Sequence, residues 1–139
     1  MDEKIISLIF SLGRLVREHT DEGSDRSLSF IHLEMMKHIE QTKGLTMKDM
    51  ALFLCIKAPS VTYLMEDLVK NGYAKRSHDT EDRRLIKIIL TPKGQKILEE
   101  LYPRRAESLR KVLSQLGTAE QKKFADILER IHKIYKKIS

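Results

Sequence analysis

Two adjacent arginines, Arg83 and Arg84, end the polar stretch from His78 to Arg84. Neighbouring guanidinium groups repel each other unless solvent or an anion screens them, and a narrow DNA minor groove concentrates negative potential that favours arginine. Both residues are therefore candidates for contact with a polyanion. Asp82 is predicted to stabilise this segment by accepting hydrogen bonds from its amides or from an arginine. A solvated charged turn is the alternative interpretation.

A second group of candidates follows Pro59. Apolar residues recur there at helical spacing and predict one buried stripe, at Val61, Leu64, Met65 and Leu68. The other side of the helix carries hydroxyl groups, which can bind phosphates or base edges. It has no Arg, Asn or Gln for a bidentate base contact, so direct readout should be modest. Together with the paired arginines, the predicted DNA-binding residues are Lys57, Ser60, Thr62, Tyr63, Lys70, Arg83 and Arg84.

Charge limits which part of this helix can approach DNA. Glu66 and Asp67 would repel a phosphate backbone, so the first turn, with Lys57 just before it, is the expected contact. An ordinary amphipathic core helix is the alternative interpretation of the same pattern.

The elements around these candidates predict a helix-turn-helix followed by a hairpin. Thr46 and Asp49 form a capping-box pattern that begins one short helix, and Pro59 is expected at the first position of the next. Asn71-Gly72 ends it, and two such helices joined by a tight turn are typical of a helix-turn-helix. The stretches from Tyr73 to Ser77 and from Leu85 to Leu90 then predict two strands with the arginines at their tip.

Four further helices are predicted around this unit. They cover residues 4–19, Ser29 to about Thr42, Thr91 to Leu116, and a last helix capped by Thr118 to Gln121. A polar loop over residues 21–27 separates the first two. Pro103 should kink the long helix, because proline removes one backbone hydrogen bond. The predicted fold class is thus mainly α with one small β-hairpin.

The first and last helices carry more apolar surface than one small domain can cover, and such a surplus normally marks an interface. The predicted dimerisation residues are Ile5, Ile9, Leu12, Phe124, Ile127, Ile131 and Ile134. Two-fold pairing would set two helix-turn-helix units about one DNA turn apart, roughly 34 Å, and it predicts a pseudo-palindromic DNA site.

Composition narrows the class of protein without identifying it. The net charge is +6, but residues 1–43 carry −2, residues 44–94 carry +3 and residues 95–139 carry +5. The basic excess therefore lies mostly outside the predicted helix-turn-helix. A single cysteine, no secretory leader and no long apolar run predict a cytoplasmic protein without a membrane partner.

Other chemistry finds little support in the sequence. Cys55 is predicted to be a small buried residue rather than a redox sensor, and the five histidines are too scattered to predict a zinc site. Methionines at 35, 36, 47, 50 and 65 are expected to fill the core, with an adaptable ligand pocket as the alternative. No pattern of a nucleophile with its base, a phosphate loop or paired carboxylates indicates an enzyme, and no cofactor or metal is predicted.

Three stretches resemble the MarR family of winged helix-turn-helix transcription regulators. They are Leu45 to Ala51, Ala58 to Thr62, and Asp79 to Arg84 with Thr91-Pro92-Lys93-Gly94 after it. The resemblance predicts one MarR-like domain over 1–139, with a winged helix-turn-helix DNA-binding part over 28–94 and dimerisation helices over 1–20 and 95–139. Pro103 departs from the family pattern and leaves the dimer geometry open.

The resemblance also implies function. An arginine at the position of Arg84 enters the minor groove in that family, and many members bind a small aromatic or amphipathic effector. We therefore expect a ligand-responsive repressor that binds double-stranded DNA as a homodimer. The alternative is a winged-helix module that binds protein or RNA without operator specificity.

Overall fold

The computed structural model describes residues 1–20, 28–78, 80–82 and 86–138. Its elements in chain order are α1 (Asp2–Thr20), α2 (Phe30–Gln41), α3 (Met47–Leu54), α4 (Ala58–Lys70), β1 (Ala74–His78), β2 (Ile86–Leu90), α5 (Pro92–Ser114) and α6 (Thr118–Ile138). This mainly helical order with one hairpin confirms the predicted fold class. The predicted loop over 21–27 lies outside the described residues.

The start of α3 is held by the predicted capping box. The Asp49 amide donates to Thr46 Oγ1 at 3.2 Å, and the Thr46 amide donates to an Asp49 carboxylate oxygen at 3.1 Å. Hydrogen bonds with Thr46 hold the pKa of the Asp49 carboxyl below its usual value. The larger effect comes from the Thr46 amide and the smaller one from its hydroxyl. Two backbone amides that would lack a partner at the helix start are therefore satisfied.

Helix α4 begins one residue earlier than predicted. Lys57 is its N-cap, so Ala58 takes the first helical position and Pro59 the second. Proline is tolerated there as well, because the first four amides of a helix have no intrahelical acceptor. Asn71 ends α4 by donating its amide to Asp67 O at 3.1 Å, and Gly72 follows with φ 77°, a conformation that favours glycine.

The core lies between α2, α3, α4 and the start of α5. Four of the five singled-out methionines, Met35, Met36, Met50 and Met65, are completely buried there, and Met47 is half-buried against them. This confirms that they fill the core. From α4, Val61 and Leu68 are buried and Leu64 is half-buried, so the predicted stripe faces inward.

The two strands form an antiparallel hairpin, called the wing below, in which Ala74 pairs with Leu90 and His78 with Ile86. β1 is shifted by one residue from the prediction. Ile88 also donates its amide to Leu45 O at 2.9 Å, which ties the wing to the start of α3. The wing is therefore braced against the helix-turn-helix and is not an isolated ribbon.

The long helix α5 starts against the wing and continues through Pro103. After it, the predicted cap of α6 is wrong by one residue. Gly117 rather than Thr118 precedes the helix, and its amide donates to Glu120 Oε1 at 3.1 Å. The Gln121 side chain is used elsewhere, because it donates to the carbonyl oxygens of Leu113 and Leu116. Glu120 and Gln121 are neighbours, and either side chain could serve in a capping box. The sequence alone therefore did not determine which residue is the N-cap.

Candidate nucleic-acid interface

The first turns of α4 present the candidate polar side chains to solvent. Lys57, Ser60 and Tyr63 are all exposed, and Tyr63 is the most open of them at 69%. Lys70 is exposed too, but it lies ten residues after Ser60, or about 15 Å along the helix axis. The structure thus brings three of the predicted residues together and places Lys70 at the other end of the helix.

Thr62 is exposed but partly committed. Its hydroxyl donates to Ala58 O at 3.1 Å, so the hydroxyl hydrogen is occupied within the helix. What remains for a ligand is an acceptor oxygen and a methyl group. Thr62 can therefore accept from an amino group on a base edge or pack against a thymine methyl, but it is not a phosphate donor in this rotamer.

The two carboxylates of α4 have different surroundings. Glu66 is exposed on the outer side, whereas Asp67 is half-buried, with Oδ2 lying 3.2 Å from His32 Nε2 on α2. Thirty-five residues separate His32 from Asp67, and the sequence analysis missed this contact because nothing local signals it. Asp67 is thus held toward α2, and Glu66 is the acidic group on the open side.

Beyond α4, the wing carries exposed cations of its own. Lys75 and Arg76 on β1 are exposed, and sequence reasoning did not single them out. Arg83 and Arg84 lie outside the described residues, so their roles stay predictions. Asp82 is described and half-buried, and its role in stabilising the wing also stays a prediction.

The prediction that Cys55 is buried is wrong. Cys55 is exposed and ends α3 in the left-handed conformation, with φ 57°. The tight turn between α3 and α4 requires this conformation, which turns the side chain outward, although it strains a residue other than glycine. Its Sγ lies 3.7 Å from His132 Nε2 on α6.

The predicted dimerisation residues of α1 and α6 are exposed in the single chain. Ile9 is 56% exposed on α1 and Ile127 is 51% exposed on α6. No residue of α6 from Thr118 to Ile138 is buried, although its apolar side chains recur along one face. An apolar surface of this extent on two helices indicates an interface.

Two negative findings hold for the described part of the chain. None of its His, Cys, Asp and Glu side chains form a group of three that could bind a metal ion. Within the same residues, no helix has the length and apolar character needed to cross a bilayer.

A helix-turn-helix with a braced wing defines a winged-helix protein, and known proteins share this architecture. Residues 32–86, from α2 into β2, match the MarR family model. The uncharacterized HTH-type transcriptional regulator YkoM of Bacillus subtilis (strain 168) is 31% identical over 77 residues, which cover 55% of this chain and 50% of YkoM. The HTH-type transcriptional repressor YetL of the same organism is 27% identical over 113 residues, covering 81% of this chain and 68% of YetL.

Solved structures agree in fold. The MarR family transcriptional regulator AbsC from Streptomyces coelicolor superposes with a TM-score of 0.84 at 15% identity, covering 96% of this chain and 93% of AbsC. The MepR–DNA complex of S. aureus gives 0.82 at 22% identity, covering 91% of this chain and 95% of MepR. The PcaV regulator from Streptomyces coelicolor, in complex with its natural ligand, gives 0.82 at 17% identity, covering 91% of this chain and 89% of PcaV.

The chain is similar to MarR family regulators, and the family model matches it over residues 32–86. The relatives are named as transcription regulators, which agrees with the prediction of a DNA-binding regulator that is not an enzyme. The chain spans half the length of YkoM.

Proposed function

We propose that this protein is a cytoplasmic transcriptional repressor that binds a pseudo-palindromic DNA operator as a homodimer. The observation that carries the proposal is the exposed polar start of α4, with Lys57, Ser60 and Tyr63 on one open side of a helix-turn-helix. A major groove admits a helix of this kind, with hydroxyl groups toward phosphates and base edges. Repression is the activity named for YetL.

In this proposal the wing supplies the second contact. Arg84 enters the minor groove, Arg83 lies beside it, and Asp82 stabilises the tip. The exposed cations Lys75 and Arg76 on β1 add positive charge along the path of the phosphate backbone. The start of α4 has no bidentate base reader, so sequence preference comes in good part from groove width and DNA shape. MepR, a structural neighbour, was solved in complex with DNA.

The proposed dimer is formed by the exposed apolar faces of α1 and α6. Residues 1–20 and 95–139 are its dimerisation helices, and residues 28–94 are the DNA-binding part of a single domain. Pairing buries apolar side chains that a lone chain leaves in water, such as Ile9 and Ile127. It also places two copies of α4 about one DNA turn apart.

The proposal includes a small aromatic or amphipathic effector. A cavity of about 210 Å³ between α1 and α5 is lined by apolar side chains, including Leu12, Leu15 and Leu109, and by the polar groups of His19 and Ser108. An apolar cavity of roughly 150 Å³ can bind benzene, so this space suits one ring with a polar substituent. PcaV was solved with a natural ligand.

Binding to a labelled random-sequence duplex, measured by fluorescence anisotropy between 50 and 200 mM salt, tests the proposal. We expect affinity to fall steeply and linearly on a logarithmic plot, because each phosphate contact releases counterions. Arg84→Ala should weaken operator binding by about 1–3 kcal/mol with little change in melting temperature. Arg104→Ala, at an exposed site on α5, is the matched control and should bind as the wild type does.

Two results would contradict the proposal. Absence of duplex binding, or binding independent of salt, would favour the alternative of a protein- or RNA-interaction module. Equal operator affinity of Arg84→Ala and the wild type would remove the wing from the mechanism.

A further inference from the structure

His32 is a buried polar residue whose two ring nitrogens contact different elements. Nδ1 lies 3.1 Å from the Ser29 backbone nitrogen and 2.8 Å from Ser29 Oγ, at the start of α2. Nε2 lies 3.2 Å from Asp67 Oδ2 on α4. Because a backbone amide can only donate, Nδ1 must be the acceptor. The ring hydrogen is then on Nε2 and points at the Asp67 carboxylate.

The Ser29 end of this contact is firmly anchored. Leu28, just before Ser29, is buried in the core, and its carbonyl oxygen accepts a hydrogen bond from the guanidinium group of Arg105 on α5. Arg105 is itself buried. A charged donor buried against a fixed carbonyl is a strong contact, so the start of α2 is held from α5 while His32 extends from it to α4.

We propose that His32 is a positioning residue for α4, setting the rotation of this helix about its own axis and so the side chains it presents to DNA. The inference deepens the proposed function and rests on it. The buried stripe of α4 makes apolar contacts, which are not directional. The bond from His32 to Asp67 is directional, and Asp67 lies two turns after Ser60 on the same flank of the helix.

The size of the effect follows from helix geometry. Side-chain atoms lie roughly 5–6 Å from the helix axis, so a rotation of about 20° moves them by about 2 Å. That displacement exceeds the tolerance of about 0.5 Å within which a binding group must be held. Loss of the directional bond would therefore misplace Ser60 and Tyr63 without unfolding α4.

A reversal of donor and acceptor tests the proposal. His32→Glu keeps the capping-box pattern with Ser29, but it cannot donate to Asp67 and brings two carboxylates together. We expect DNA affinity to fall about tenfold or more while the circular dichroism spectrum is unchanged. Adding Asp67→Asn supplies an amide that donates to the new carboxylate, and affinity should return to within about threefold of Asp67→Asn alone. Asp67→Asn alone is the control for the loss of the negative charge at residue 67.

Undiminished DNA affinity of His32→Glu, or failure of the double variant to recover it, would overturn the proposal. If His32→Glu does not fold, a second pair replaces it. His32→Gln offers an acceptor to Ser29 and a donor to Asp67 and should bind DNA as the wild type does, whereas His32→Met offers neither and should bind about tenfold more weakly. Equal affinity of these two variants would also overturn it.

Hydrogen exchange of the α4 amides in the free protein separates this inference from the proposed function. Wild-type binding to DNA with no response to the His32 variants would reject the inference alone. If the wild type binds no DNA, the proposed function fails, and exchange still tests the positioning role. Faster exchange in His32→Met than in His32→Gln would support the role, and equal exchange would reject it.

Discussion

At the residue scale, the placement of acidic groups determines which side of α4 can approach a polyanion. Sequence reasoning treated Glu66 and Asp67 alike, but Asp67 is tied to His32 and only Glu66 remains on the open side. The first turn, next to Lys57, therefore stays the most favourable point of contact. Glu66 and Asp67 look equivalent in the sequence, but the contact with the distant His32 gives the two carboxylates different surroundings.

Glu34 provides a prediction at the same scale. It is half-buried on α2, and burial raises the pKa of its carboxyl above the ordinary value. The ionised form therefore costs stability in the folded state, fully so above the folded pKa. The destabilisation fades as the pH falls toward the pKa that this carboxyl has in the unfolded chain. Below that pKa it is lost, because the carboxyl is protonated in both states.

Glu34→Gln should consequently raise the melting temperature at pH 7–8, with the gain shrinking toward pH 4. Calorimetry or circular dichroism melting across that range measures it. Glu66→Gln, at an exposed site on α4, is the matched control and should show little of this dependence. A lower melting temperature of Glu34→Gln at pH 7 would refute the assignment.

At the element scale, the sequence predicted most of the fold because helix starts and ends depend on local chemistry. Thr46 with Asp49, and Asn71 with Gly72, mark boundaries that the structure confirms. Errors of one residue arose where two neighbouring residues could serve, as at the start of α6. The outward turn of Cys55 and the bond between His32 and Asp67 depend on tertiary geometry, so no local pattern could show them.

The structure explains why residue 94 is a glycine, which the sequence analysis only matched to a family pattern. It is buried where α5 starts against the wing, and a Cβ there would overlap the backbone carbonyl of Tyr73. That same carbonyl accepts the Thr91 amide at 3.1 Å. The close approach therefore links the end of α4, the wing and α5, and only glycine allows it.

Gly94→Ala should destabilise the fold by about 1–3 kcal/mol, because backbone rather than a flexible side chain must move. Urea denaturation measures this change. Gly117→Ala, where the added Cβ would lie in ordinary contact at 3.6 Å from Glu120 Oε1, is the control and should change stability much less. Equal effects of the two substitutions would show that the Tyr73 contact is not the constraint.

At the scale of the whole molecule, α1 and α6 have apolar faces that the single chain leaves open. Helix α6 buries no residue, so its own chain gives it little reason to stay in place. Stability of these helices should therefore depend on a second copy, and on protein concentration. Of the net charge of +5 on residues 95–139, +3 lies on the same helix.

Ile131→Glu, on the apolar face of α6, should convert a dimer into a monomer at micromolar concentration, since it places a charge in the proposed interface. Sedimentation velocity measures the change, and operator affinity should fall with it. Lys133→Glu, on the opposite face by helical spacing, is the control and should stay dimeric. A wild-type chain that sediments as a monomer would contradict the proposed assembly.

The central claim is that a two-fold dimer binds DNA through two copies of α4 and its wing. Selection of bound sequences from a random duplex pool tests it most directly. We expect an inverted repeat whose half-site centres lie about one helical turn, roughly 34 Å, apart. Recovery of a single unrepeated element, or no enrichment over the starting pool, would contradict the claim.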